Sequence, residues 1–393
     1  MESSLLAGSP RVLRTLNEKA VLFRLLSDGP LTRMELEAFT GLSKPAMFEL
    51  LRRLELAGLI TRTGEKSGTS GPKAGLWSIE PRCGHVAGLE VTNHGIDVAL
   101  ADICGGPIAS VHWSCEPADR YDARSRLKSV LDDLAAQAGI SLRHIDQFVV
   151  GLPGIVDAES GNLRKGLQLP NWEGFHIAEM LGELCGHRHI LIENDVNLVA
   201  LEETSAGAAA GVQSFLLFWS GDGVGAGVVL GGRLLRGTTG AAGEIGGILV
   251  PVDTAEGGFA TLEEALSLSA IDALRRRHAI AGADTLAAIR QAANTGNGAF
   301  FAELGGIVGR GLMGAIAVLD PHMVVLGGPT GRAGGKALAQ AVAQSLQGIN
   351  IASPEIVTSG VDDDAVRSGA LHLALQHARE RIFSGGSAAR GQP

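Results

Sequence analysis

Apolar runs that stop at polar or glycine-rich turns recur along this chain, and they restrict its fold more than any other feature. They include "QFVVGLPGIVD" (147–157), "HILIEND" (189–195) and "SFLLFWSGDGVGAGVVLGGRLL" (214–235). "HVAGLEVTNHGIDVALADICG" (85–105) reads as two more strands, with a turn near Asn93-His94-Gly95. A strand that is apolar on both faces must be covered on both. Helical stretches separate these blocks, so the pattern is that of an α/β protein.

A chain of 393 residues has the length for two or three domains and large cores. A 45% hydrophobic content with 55 glycines fits many strand-to-helix turns and excludes a disordered chain. The formal net charge of −9 by itself argues against nucleic acid as a partner of the whole molecule. The charge is uneven: residues 1–80 carry +2 and the remainder −11. A mildly basic head on an acidic body fits a small DNA-contacting module joined to a body that avoids phosphate. Cys83, Cys104, Cys115 and Cys185 show no paired spacing, so neither a disulfide framework nor a zinc ribbon is expected. "LLSDGPLT" interrupts the first apolar candidate for a signal or membrane segment, and the expectation is a cytoplasmic protein with no membrane partner.

The head has its own rhythm. Thr32 and Glu35 have the S/T-x-x-E spacing of a capping box, and Gly41 ends the short helix that follows. Ser43 caps a second helix with Pro45 in its first turn. Met47, Leu50, Leu51 and Leu54 face a core from that helix, while Lys44, Phe48, Glu49, Arg52 and Arg53 lie on other faces. Two β-like segments, "LITRT" and "GLWSI", flank a loop rich in Gly, Ser and Lys. Together these make a winged helix-turn-helix over residues 1–80. The helix at Ser43 enters the major groove, using Ser43, Lys44, Phe48, Arg52 and Arg53. Lys66 and Lys73 of the wing reach phosphate or a minor groove. "EPRCG" (80–84) reads as a hinge, which sets the boundary between head and body at 81–85.

In the body, Asn194 and Asp195 close an otherwise apolar strand. Asp195 is placed either to take a proton from a substrate hydroxyl or to hold a hydroxylated ligand. Both residues could also cap the next helix.

The order of these features resembles the ROK family of repressors, open reading frames and kinases. The matching stretches are "GLSKPAMFELLRRLELAGLI", "GLPGIVDAESG", "IENDVNLVALEE", "GDGVGAGVVLGGRLLRGTTGAAGEIGG", "VLDPHMVVLGGP" and "DDDAVRSGALHLAL". The resemblance implies a two-lobed, actin- or hexokinase-like (ribonuclease H-like) α/β body with a ligand cleft between the lobes. The first lobe would span 86–195, completed by 370–393, and the second 196–369. It implies that Gly154, Asn194, Asp195, Glu244 and Glu263 hold a sugar or sugar derivative.

Three departures matter. Where family kinases have Asp-Gly-Gly-Thr, this chain has Glu90-Val91-Thr92-Asn93-His94, so side chains fill the space a phosphate needs. The second glycine turn keeps Gly221, Gly223, Gly225 and Gly227 but has Asp222 where kinases carry threonine. Gly247 replaces the family's zinc-binding histidine, and the cysteines that follow it in the family are missing, so no metal is expected. The expectation is a sugar-responsive DNA-binding regulator, a repressor without catalytic residues or cofactors. It would act on operator DNA as a homodimer or homotetramer. An ATP-dependent sugar kinase with an appended head, using Asp195 as general base, is the alternative.

Overall fold

The computed structural model describes residues 10–66, 74–156, 163–165, 169–172, 176–186, 189–252, 258–347 and 353–385. The head consists of α1 (Pro10–Asp28), β1 (Leu31–Thr32), α2 (Arg33–Thr40), α3 (Lys44–Leu56), β2 (Ile60–Lys66) and β3 (Ala74–Ile79), its strands ordered β1-β3-β2. The capping box opens α2: the Thr32 hydroxyl accepts from the Glu35 N–H at 3.3 Å, and Glu35 Oε2 accepts from the Thr32 N–H at 2.7 Å. Gly41 ends the helix in the left-handed region, φ 70°. Met47, Leu50, Leu51 and Leu54 of α3 are buried against Val21, Leu22, Leu25 and Leu36. Each contributes about 1.5–3 kcal/mol of burial.

The segment expected to be a hinge is instead a packed turn. Pro81–Cys83 forms a 3-10 turn with Cys83 buried, and a Cβ at Gly84 would stand 2.6 Å from Ile382 Cδ1. Its composition looked loop-like, but its partners lie about three hundred residues away.

The first lobe contains β4 (His85–Thr92), β5 (Gly95–Asp102), β6 (Pro107–Ser114), α4 (Ala123–Ala138), β7 (Gln147–Leu152), β8 (Ile155–Val156), β9 (Leu163–Lys165), α5 (Ile177–Cys185) and β10 (His189–Asn194). The sheet order is β10-β7-β4-β5-β6, with β4-β5-β6 an antiparallel meander and β7 and β10 parallel to β4. α6 (Asp195–Ser205) then leads out of the lobe.

The second lobe repeats the plan with β11 (Phe215–Ser220), β12 (Val224–Leu230), β13 (Arg233–Leu234), β14 (Leu249–Val252), β15 (Gly258–Thr261), α7 (Leu262–Ala265), α8 (Leu268–Arg277), α9 (Thr285–Thr295), α10 (Gly298–Leu319), β16 (Met323–Gly327), α11 (Gly328–Ser345) and β17 (Glu355–Thr358). Its order is β13-β12-β11-β16-β17, again a three-stranded meander followed by two parallel strands. β14 and β15 form a separate hairpin. By length and composition α10 could cross a membrane, but Phe300, Leu304, Val308, Leu312 and Ile316 sit in the second lobe's core.

The last helix, α12 (Ala365–Gly385), ties the parts together. It packs on α6, β4, β5 and β7 and also against α1 of the head. At α6 the approach is close: a Cβ at Gly369 would stand 2.1 Å from the Leu198 carbonyl oxygen. At the head, Phe383 meets Phe23 edge-on with ring centroids 5.2 Å apart, and Lys19 pairs with Glu380.

Candidate functional site

The DNA-facing candidates divide into two groups. Lys44, Phe48 and Arg52 are exposed and follow one another at i, i+4 and i+8, forming a stripe that runs beside the buried face of α3. Ser43 is exposed at the N-cap, and its hydroxyl makes no cap bond. Arg52 is held by Glu49 through a two-pronged pair, Nε to Oε2 at 3.0 Å and Nη2 to Oε1 at 2.9 Å.

Arg53 points elsewhere, with Nε 3.0 Å from Oε1 of the buried Glu18 of α1. Lys66 pairs at 2.6 Å with Glu35, whose carboxyl is lowered to about 2 by Lys66 and then by the Thr32 N–H and hydroxyl. Lys73 lies outside the described residues. On the wing, Arg62 stacks on Trp77 at 4.6 Å, a cation the sequence pattern did not single out.

This division makes a prediction. Arg52→Ala should weaken duplex binding and reduce the salt slope by about one. Arg53→Ala should weaken it through the head's stability, at a cost of about 3 kcal/mol, with the slope unchanged. Binding titrations at several salt concentrations, alongside thermal unfolding, separate the two. A flatter slope in Arg53→Ala would place its guanidinium on phosphate after all.

The cleft candidates converge where β10 meets α6. Asn194 is the N-cap of α6: its Oδ1 accepts from the Asn197 N–H at 3.0 Å and its Nδ2 donates to the Gly154 carbonyl at 3.0 Å. Its amide therefore joins the Pro-Gly loop to the helix start, and Gly154 holds φ 115°, a region that favours glycine. Asp195 uses one oxygen to accept from the Val196 N–H at 2.8 Å. Burial pushes its carboxyl up to about 6; the N–H groups of Val196 and Asp195 pull the other way, and the charge of Glu244 adds to the rise.

Glu244 and Glu263 continue the row from the second lobe. Glu244 is raised by burial and then by the charge of Glu263. The segment before Glu244 turns sharply at Gly243, φ 93°, where a Cβ would fall 1.9 Å from the Ala226 oxygen. Glu263 hangs over Gly246, whose added Cβ would lie 3.2 Å from Glu263 Oε2. Gly221, Asp222, Gly223, Glu263 and Ser267 line a cavity of about 290 Å³ beside this row.

Three further residues belong to the site and were not singled out from sequence. Glu193 is buried and accepts from the Asn194 N–H at 3.0 Å, Asn197 Nδ2 at 2.9 Å and Arg236 Nε at 2.7 Å. Arg236, its side chain 38% exposed, comes from the second lobe, so its pair with the buried Glu193, two residues before Asp195, joins the lobes. A carboxylate inside "ILIEN" was the available signal. On β4, burial and then the charges of Asp97 and Asp195 push Glu90 up to about 8, against the pull of Arg367.

The turns at Thr92–His94 and Gly221–Gly223 face each other. Side chains occupy the first, where the Thr92 hydroxyl accepts from the His94 N–H at 3.1 Å. His94 Nε2 then lies 3.7 Å from Asp222 Oδ2 of the second turn, across the cleft. A metal of the family's zinc type finds no N or S donors here: from Gly247 through Glu263 there is no histidine or cysteine.

Fold and site together define a winged helix-turn-helix head on a two-lobed, actin-like body with a carboxylate-lined cleft. The ROK family model matches residues 86–377, and the MarR family model matches residues 14–69. The chain belongs to the ROK family. It is 27% identical over 250 residues to the N-acetylglucosamine repressor of Escherichia coli O6:H1, a match covering 62% of this chain and 59% of that protein. A crystal structure of a ROK family transcriptional regulator, described as a homologue of the E. coli MLC protein, superposes with TM-score 0.71 at 21% identity. It covers 96% of this chain and 98% of its own. A ROK hexokinase from Thermus thermophilus superposes with TM-score 0.58 at 26% identity, over 75% of this chain and 99% of its own. The fold of the body is therefore found both in a regulator and in a hexokinase.

Proposed function

We propose that this protein is a sugar-responsive transcriptional repressor that acts in the cytoplasm on operator DNA as a homo-oligomer and has no kinase activity. The observation that carries the reading is the state of the cleft. One side keeps a row of carboxylates, Asp195, Glu244 and Glu263, suited to sugar hydroxyls. The other side has His94 and Asp222 where a triphosphate would lie.

At neutral pH Glu90 is protonated and donates, while Asp195 is mostly ionised and accepts. A sugar hydroxyl does both. In this reading Asp195 holds a hydroxyl and transfers no proton, because no phosphoryl donor is seated. Asp222 adds like-charge repulsion toward a triphosphate, on the order of 1–4 kcal/mol at ~4 Å.

The repressor named for a sugar among the relatives, the MarR-type head and the exposed α3 support the DNA half of the reading. A bound sugar that prefers one lobe arrangement would alter the head through α6 and α12, with a coupling of about 1–3 kcal/mol.

The test is calorimetry with free sugars, their 6-phosphates and Mg-ATP. Free sugars should bind, their 6-phosphates should bind at least ~10-fold more weakly because the row is anionic, and Mg-ATP should not bind. Sugar-dependent ADP release would establish a kinase instead. Silence across the whole sugar panel would remove the effector from the cleft.

A further inference from the structure

We propose that Phe48 reads the 5-methyl group of a thymine in the major groove, and so sets part of the operator sequence. The proposal rests on α3 being the helix that enters the groove. Phe48 is 57% exposed, while its helix neighbours Met47, Leu50 and Leu51 fill the head core. It sits at the centre of the stripe formed by Lys44, Phe48 and Arg52, one helical turn from each cation. Pro45, exposed in the first turn, extends the apolar surface toward the start of the helix, the end that such motifs direct at base edges.

The charge on α3 strengthens the argument. Lys44 and Arg52 are offset by Glu49 and Glu55, and Arg53 is turned inward to Glu18. Arg52 already has two of its N–H groups on Glu49. The helix therefore brings no surplus positive charge to the duplex, so phosphate attraction along it is small and carries no sequence information. What remains to discriminate is shape and apolar contact. Among unmodified bases the thymine methyl is the apolar group displayed in the major groove, and phenylalanine is among the side chains that meet it. Lys44 and Arg52 would flank that contact, with Arg52 on a single phosphate.

The experiment uses the full chain. A duplex is selected from a random pool at fixed salt, and each thymine in it is replaced in turn by deoxyuridine, which removes only the methyl group. The wild type should lose roughly fourfold affinity at one thymine per half-site, the worth of one buried methyl. F48A should bind the selected duplex more weakly and be indifferent to that same replacement, with an unchanged salt slope. F48L, which keeps an apolar side chain, should retain part of the sensitivity. Because Phe48 is exposed, both variants should unfold at the wild-type temperature. The proposal is overturned if the wild type ignores every thymine-to-deoxyuridine change, or if F48A keeps the wild-type sensitivity. It is also overturned if F48A leaves the selected sequence unchanged and alters only the oligomeric state, which would make Phe48 a contact between copies of the chain.

Discussion

Asp195→Ala should reduce sugar affinity by about 10–100-fold while leaving affinity for operator DNA without effector within about twofold of wild type. A hydrogen bond to a charged carboxylate in a partly closed site is worth about 1.5–3 kcal/mol, and this substitution removes it. Asp195 is half-buried and takes only one backbone donor from outside its own residue, so its other oxygen is available to a ligand. Sugar binding should also weaken as the pH falls through about 6, because protonation removes the anionic acceptor. Asp195→Asn should abolish that pH dependence while keeping the shape of the site. Calorimetry at pH 5, 6.5 and 8 measures all three. If Asp195→Ala unfolds the protein, the residue is a structural cap. Asn194→Ala gives the contrast: its amide is spent on α6 and Gly154, so its loss should cost about 1 kcal/mol of stability.

Glu90→Gln should stabilise the protein at alkaline pH and do little at pH 5. Burial, then the charges of Asp97 and Asp195, push the folded-state carboxyl up to about 8 from an ordinary value of 4.5. A raised folded pKa means that stability is fully present below 4.5 and is lost as pH rises toward 8, since the native state resists giving up the proton. Above pH 8 the native protein bears the full cost of a buried anion beside Asp97 and Asp195. That cost is on the order of 2–4 kcal/mol, at 1.36 kcal/mol per pKa unit and discounted for partial exposure. Asp195 acts in the same sense between 3.8 and about 6. Denaturant unfolding at pH 5 and 8.5 tests this: Glu90→Gln should exceed wild type by about 2–4 kcal/mol at the higher pH and match it at the lower. A variant no more stable than wild type at pH 8.5 would place Glu90 in contact with water or an unrecognised cation.

The head was readable because its signals are local. The box at Thr32 and Glu35, the stop at Gly41 and the buried stripe from Met47 to Leu54 all operate within one or two turns of helix. Arg53 and Lys66 show where such reading ends. Their basic character pointed to phosphate, but Glu18 and Glu35, 35 and 31 residues upstream, decide where they point. The loop-like composition of 81–85 likewise gave no hint of Ile382.

In the cleft, the strand-to-helix corner at Asn194 and Asp195 was legible as a polar interruption of an apolar run. The roles within it were not. Only the fold shows that both ends of the Asn194 amide are bonded within the protein, or that Glu90 shares a field with Asp97 on β5 and Asp195 at the start of α6. Arg236, which crosses from the other lobe to Glu193, has no sequence signature at all.

The final helix makes the two halves inseparable as modules. Its Phe383 completes the packing around Phe23, its Arg381 bonds the Asp146 carbonyl at 2.7 Å, and its His372 meets Glu202 of α6 at 2.5 Å. One helix thus packs against both the head and the first lobe. Cutting the chain before Ala365 would strip both at once. A head grafted onto a foreign partner would arrive with an unfinished flank.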